Sequence, residues 1–144
     1  MARKGVFMSE AFTLYKLIVL YMLDKVDFPL TNGQISEFVL DKEYTSYFTL
    51  QQAISEMVEA GFIREESTHN RTLYHLTEEG AETNQFFKNN ISAAIQADID
   101  TFIAEKKRQK TNLAYVRMIK SGKTPDEARL IINRRKIRSR KIKT

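Results

Sequence analysis

One segment near the start of the chain is apolar around a whole helical circumference, and this limits the folds open to the sequence. Between Ala11 and Val26, every position from Leu17 to Leu23 is apolar. A helix of this kind is buried on more than one side. The run is far shorter than the roughly 20 residues that a membrane span needs. We therefore expect the core helix of a globular domain, with part of its surface against a second subunit and no association with membranes.

A second, short helix is predicted by its capping signal. Thr31 stands three residues before Gln34, which is the spacing of a capping box. The positions that follow give one apolar stripe, formed by Ile35, Phe38 and Val39. We expect this helix to end near Lys42.

A third helix is predicted over residues 49–60. Thr49 and Gln52 repeat the capping spacing, and Gly61 suits the left-handed conformation of a C-cap. We expect Phe48, just before this helix, to pack in the core. The helix has a polar face that includes Gln51, Gln52 and Ser55, and a core face formed by Leu50, Ala53, Ile54, Met57 and Val58.

Two short strands are predicted after Gly61. Residues 62–67 and 72–77 have strand character and are joined by a polar hairpin turn at residues 68–71. Thr77 then precedes two glutamates, as an N-cap followed by an acidic first turn. The order helix, helix, helix, strand, turn, strand, helix is that of a winged helix-turn-helix domain. The predicted fold class is therefore α+β, mostly α.

The chain then continues into a long helix and a tail. An apolar stripe runs through Ile91, Ile95, Ile99, Phe102 and Ile103, and Asn89-Asn90 is expected to break or bend the helix before it. Because such a stripe needs a partner, we divide the chain into a winged-helix domain (1–80), a long dimerisation helix (81–106) and a basic helical extension (107–144).

The extension contains two helix candidates. One covers Asn112 to Lys120, and the next begins at Thr124-Pro125, where proline suits the first helical position. From Arg134 to Lys143 the apolar periodicity is lost. We expect that last stretch to be solvated and partly disordered.

Charge is distributed unevenly along the chain. Residues 1–106 carry 9 Lys/Arg and 16 Asp/Glu, a net charge of −7, whereas residues 107–144 carry 14 Lys/Arg and 2 Asp/Glu, a net charge of +12. A dense cationic segment releases counterions when it meets phosphates, so the extension is a candidate for polyanion binding. The alternative is a solvated tail without a partner.

Several stretches resemble known transcriptional regulators. Gly61–Ile63 together with Tyr74–Gly80 is similar to the wing signature of PadR-like and MarR-like regulators. Thr13–Ile18, Asp27–Asn32 and Tyr47–Glu56 resemble a winged-helix family of unknown function from Gram-positive bacteria. The resemblance covers about residues 8–106 and leaves out the tail. Members of that family have been regarded as transcriptional regulators because of their fold, so the resemblance implies a role in DNA binding.

We expect a DNA-binding repressor that works as a homodimer and reads a two-fold operator with helix 49–60 and the wing of residues 62–77. Glutamine suits adenine and serine suits several base edges, while cations at the wing tip and in the tail suit phosphates. Tyr44 and Thr45 are further donors for phosphates. The candidate DNA-binding residues are Tyr47, Thr49, Gln51, Gln52, Ser55, Arg71, Arg134, Arg135, Arg138 and Arg140.

An alternative function is that of a winged-helix adaptor. In that case the acidic surface binds protein partners, and the basic tail attaches non-specifically to nucleic acid or to an anionic surface.

The sequence contains few features that indicate an enzyme. His69 and His75 are the only histidines, and we find no phosphate-binding loop, metal-ligand cluster or nucleophile motif. We therefore expect no enzyme activity, no cofactor and no metal, although a small-molecule effector could occupy a cavity between the dimer helices. The absence of cysteine is compatible with a cytoplasmic protein.

Overall fold

The computed structural model describes residues 10–143, with the side chains of residues 11–136, as a mostly helical α+β chain with a small antiparallel sheet. This is the fold class that the sequence predicts. The elements of the described chain are α1 (Glu10–Lys25), β1 (Leu30–Thr31), α2 (Asn32–Asp41), α3 (Tyr47–Ala60), β2 (Ile63–Ser67), β3 (Thr72–Leu76), α4 (Glu78–Phe87), a 3-10 turn (Lys88–Asn90), α5 (Ala93–Lys120) and α6 (Pro125–Lys143).

The chain divides into two compact units, which we describe separately. The N-terminal unit ends at Asp100 and the C-terminal unit begins at Thr101, so the boundary falls within the sequence of α5. Among the described residues, no helix is both long enough and apolar enough to cross a membrane.

Helix α1 forms the centre of the N-terminal unit, as its apolar circumference predicts. Ile18, Val19 and Met22 are completely buried, and the helix packs against α3, α4 and β3. Burying each large apolar side chain of this kind contributes about 1.5–3 kcal/mol to folding. The apolar stripes of α2 and α3 are buried as well. Helix α3 packs on α1, whereas α2 packs on α3, β1 and β3.

The sheet contains one more strand than the sequence indicates. Its order is β1-β3-β2, and both pairings are antiparallel. Leu30 pairs with Tyr74, and Ile63 pairs with Leu76 at the base of the hairpin. Because β1 has only two residues, it is too short to show the alternation by which strands are recognised.

The capping prediction is confirmed for α2 and α4 and wrong for α3. Thr31 and Gln34 form the reciprocal capping box, and the Thr77 hydroxyl accepts the backbone N–H of Gly80. Helix α3, in contrast, begins at Tyr47 and not at Thr49. Its N-cap is Ser46, whose side chain accepts a hydrogen bond from the Thr49 backbone N–H at 3.2 Å. Serine is one of the preferred N-cap residues, so Ser46 can begin the helix three residues before Thr49.

Glycine is required at the two ends of the hairpin segment. Gly61 closes α3 with a φ of 83°, a left-handed conformation that side chains disfavour. Gly80, in the first turn of α4, lies against the Phe62 carbonyl so closely that a Cβ would overlap it. The backbone of α4 therefore packs directly on the start of the hairpin.

The expected break at Asn89-Asn90 is confirmed, since a 3-10 turn separates α4 from α5. Part of the apolar stripe that follows is buried within the single chain. Ile91, Ile99 and Ile103 are each at most 3% exposed in the single chain, so these side chains do not form an exposed surface for a second subunit.

The C-terminal unit consists of the end of α5, a short turn and α6. Gly122 adopts a φ of 100° in the turn, and Thr124 caps α6 in a reciprocal pair with Glu127. Hydrogen bonding to Thr124 lowers the pKa of Glu127. The bond to the Thr124 backbone has the largest effect, and the bond to its side chain has the next largest. Helix α6 continues to Lys143.

Candidate nucleic-acid interface

Helix α3 has an exposed stripe opposite its buried face. Leu50, Ala53, Ile54 and Met57 hold the helix in the core, whereas Val58 is only half-buried. Phe48, Gln52 and Ser55 are exposed, and their spacing of four and three residues places them on one side of the helix. The exposed stripe ends at Glu59. Two of the predicted DNA-binding residues, Gln52 and Ser55, therefore lie together on a surface that a ligand can reach.

Gln51 and Tyr47 are held by the start of α2. The Gln51 side-chain amide donates to Asn32 Oδ1 at 3.0 Å and to Ser36 Oγ at 3.5 Å. Asn32 in turn donates from Nδ2 to the Tyr47 hydroxyl at 3.5 Å. Gln51 is half-buried, so it links the two helices and is not part of the exposed stripe.

Tyr47 also lies beside the sheet. The pKa of Tyr74, in the central strand β3, is raised mainly by burial. The charges of the neighbouring Glu65 and Tyr47 raise it further. The start of α3 is thus linked by hydrogen bonds to the start of α2 and lies near the sheet. Thr49 belongs to the same region, where its hydroxyl oxygen accepts a hydrogen bond from Ser46 Oγ at 3.0 Å and completes the cap.

The expectation that Phe48 packs in the core is wrong. Its side chain is 85% exposed, and its ring lies edge-on to Tyr47 with the centroids 6.4 Å apart. The physical reason is the early start of α3: once residue 48 lies within the helix, its phase follows Gln52 and not Leu50.

One of the two acidic residues on α3 is paired. Glu56 Oε1 lies 2.9 Å from Lys16 Nζ on α1, and its Oε2 accepts a hydrogen bond from the Gln52 side chain at 3.4 Å. The Lys16–Glu56 pair is partly buried and links α1 to α3. It offsets the negative charge nearest to Gln52, which leaves Glu59 as the exposed acid at the far end of the stripe.

Tyr44 has a partner within the protein. Its hydroxyl donates to Asp98 Oδ2 at 3.0 Å, and its ring packs edge-on against Phe38. Burial, then the hydrogen bond to Asp98, then the charge of Asp98 raise the pKa of Tyr44 to about 12. A hydroxyl held in this way connects the α2–α3 turn to α5, so the structure does not favour the expected contact to phosphate.

The hairpin tip carries Arg71 on an exposed turn. The Thr68 backbone N–H and hydroxyl both donate to the Arg71 carbonyl, at 2.8 and 3.0 Å, and fix the turn. Farther along the hairpin, His75 Nε2 lies 2.6 Å from Glu66 Oε1. Arg71 is therefore a cation at the end of a well-defined projection.

The basic residues of the C-terminal unit lie along α5 and α6. Arg134 and Arg135 are exposed on α6, as the prediction requires, while the side chains of Arg138 and Arg140 lie outside the described residues. Two other cations are paired within their helices, Arg108 with Glu105 and Arg129 with Asp126. The C-terminal unit thus exposes positively charged side chains, which can bind phosphates, on the surface of a helix.

In the part of the chain that the structure describes, no three His, Cys, Asp or Glu side chains are grouped closely enough to hold a metal ion. His69 lies in the hairpin turn and His75 is in contact with Glu66, in a strand pair.

The sequence matches one family, described as "Domain of unknown function (DUF4364)", over residues 15–138. This match includes most of the basic extension. The expectation that family resemblance ends near residue 106 is therefore wrong. Neither a search of curated proteins nor a search of solved structures found a match.

Proposed function

We propose that this chain, which belongs to the DUF4364 family, is a cytoplasmic DNA-binding transcriptional regulator, a repressor that reads a two-fold operator. The order α1-β1-α2-α3-β2-β3 supports an interpretation of the N-terminal unit as a winged helix-turn-helix domain similar to PadR-like and MarR-like regulators. In such domains the third helix enters the major groove and the hairpin reaches the adjacent backbone or minor groove. Here α3 and the β2–β3 hairpin take those two roles.

The observation that carries this proposal is the exposed stripe on α3. Gln52 and Ser55 point to solvent from a helix whose other face is firmly buried. A glutamine can pair with N6 and N7 of adenine, and such a bidentate pair contributes about 1–3 kcal/mol of discrimination between bases. Gln51 supports the site indirectly, because it fixes α3 to α2 through Asn32.

Phosphate contacts come from other parts of the chain. Helix α3 contains no Lys or Arg, and residues 1–106 have a net charge of −7. Arg71 at the hairpin tip and the cations of α6, including Arg134 and Arg135, supply the positive charge that holds the N-terminal unit on DNA.

A homodimer accounts for a two-fold operator. Since Ile91, Ile99 and Ile103 are buried within one chain, we assign the subunit contact to the C-terminal unit. This unit has exposed apolar side chains that a second copy would cover, namely Leu113, Val116, Ile119 and Leu130.

The function is tested by selecting duplexes from a random DNA library with the full-length protein. We expect an enriched consensus, and we expect Gln52→Ala combined with Ser55→Ala to reduce discrimination against single-base changes by about 10-fold or more, as the loss of 1–3 kcal/mol per contact implies. Gln85→Ala is the matched control, because Gln85 is an exposed glutamine on α4. It should retain the wild-type consensus.

The same experiment distinguishes the repressor from the alternative function, that of a protein-binding adaptor. The net charge of −7 over residues 1–106 favours an adaptor that binds protein partners through its acidic surface. If the wild-type protein enriches no sequence, or if the double variant keeps full discrimination, the repressor proposal fails and the adaptor function is favoured.

A further inference from the structure

The aromatic side chain at the start of the exposed stripe lies outside the core. Phe48 is 85% exposed, although burying a phenylalanine contributes about 1.5–3 kcal/mol. It is four residues before Gln52 and seven before Ser55, so the three side chains follow one line along α3. Any ligand that contacts Gln52 along this line reaches Phe48 too.

The position of Phe48 is defined by its neighbours. Tyr47 packs edge-on against it with the two ring planes 76° apart, and the Tyr47 hydroxyl is hydrogen-bonded to Asn32. The helix itself is fixed at this end by the Ser46 cap. Phe48 is therefore presented on a rigid element, which reduces the entropy lost when it contacts a ligand.

We propose that Phe48 reads a thymine by packing on its C5-methyl group, two base steps from an adenine contacted by Gln52. The inference rests on the proposed function and names the base pairs that this surface prefers. The C5-methyl group of thymine is the one apolar group that a base edge presents in the major groove, and Phe is a side chain that contacts it. Four residues of helix rise about 6 Å, which is close to two base steps of about 3.4 Å each.

A second pair of exposed aromatic residues provides the control. Phe86 on α4 is 83% exposed and lies beside Phe87, but no base-reading stripe accompanies it. Phe86→Ala removes the same exposed side chain as Phe48→Ala from another surface. Because both side chains are exposed, both variants should fold, and thermal unfolding checks this.

The test uses alternating poly(dA-dT) and poly(dA-dU), which have the same phosphates and hydrogen-bonding groups and differ only in the thymine methyl group. We expect the full-length protein to bind poly(dA-dT) about four-fold more tightly, the ratio that corresponds to burial of one methyl group. Phe48→Ala should reduce the ratio to about one, Phe48→Leu should keep part of it, and Phe86→Ala should keep all of it.

Two kinds of failure are distinguishable. Equal binding of both polymers by the wild-type protein, or an unchanged preference in Phe48→Ala, overturns the thymine-reading role and leaves DNA binding intact; the exposed aromatic pair then belongs to a protein contact. If the wild-type protein binds neither polymer nor poly(dG-dC) at low salt, the proposed function itself is overturned, and this inference with it.

Discussion

The Tyr44–Asp98 hydrogen bond makes the stability of the N-terminal unit sensitive to alkaline pH. Tyr44 is a donor only while it is protonated, and its pKa is raised from 10.0 to about 12 in the folded chain. In the unfolded chain the hydroxyl ionises near pH 10, so between these values the folded state binds more protons than the unfolded state. Stability from this contact is therefore complete below pH 10 and is lost as the pH rises to about 12.

We expect urea unfolding of the wild-type protein to show a fall in the free energy of unfolding between pH 10 and 12. The fall should be smaller in Tyr44→Phe. Because Tyr44 is only partly buried, solvent screens the interaction, and we expect the difference between the two proteins to be about 1 kcal/mol over this pH range. Asp98→Asn should reduce the loss in the same direction, since it removes the carboxylate that raises the pKa. If all three proteins lose the same free energy of unfolding between pH 10 and 12, the Tyr44–Asp98 contact does not cause the pH dependence.

Residue identity alone indicates some of these contacts and not others. The reciprocal pair of Thr31 and Gln34 follows from a spacing within one turn, so the sequence contains all the information it needs. The exposure of Phe48 depends instead on where α3 begins, because a shift of two residues brings residue 48 into the helix. Tyr44 and Asp98 are 54 residues apart, so no local pattern could pair them.

At the scale of elements, the start of α3 positions the whole candidate site. Ser46 accepts the Thr49 N–H at the N-cap, and Tyr47, Phe48, Gln51, Gln52 and Ser55 all depend on this helix start for their direction. Helices α1 to α3 and the hairpin of the N-terminal unit were predictable from capping signals and apolar stripes. Strand β1 was not, because two residues beside Pro29 acquire strand pairing only through contact with β3.

We expect Ser46→Ala to destabilise the N-terminal unit by about 1 kcal/mol, the usual effect of removing an N-cap side chain. Ser55→Ala is the matched control, since it makes the same substitution in the exposed middle of α3, where alanine favours the helix. Urea or thermal unfolding followed by circular dichroism measures both. If Ser46→Ala is as stable as Ser55→Ala, Ser46 is not the cap that determines the helix start.

At the scale of the whole molecule, the proposed function assigns base recognition and phosphate binding to two different parts of the chain. The side chains suited to base recognition lie on α3, whereas residues 107–144 carry the net charge of +12. This division could be predicted by counting charges along the sequence. The family match over residues 15–138 includes both the N-terminal unit and most of the basic extension.

The salt dependence of binding to a duplex enriched by the full-length protein tests the central claim most directly. We expect log affinity to fall linearly with log salt, with a slope that decreases by about 2 in Arg134→Gln/Arg135→Gln, since each lost phosphate contact removes about 0.9. Lys25→Gln/Lys88→Gln removes the same charge from the N-terminal unit and should leave the slope unchanged. A wild-type protein that binds no duplex DNA, or equal slopes in all three proteins, would contradict DNA binding supported by the basic C-terminal unit.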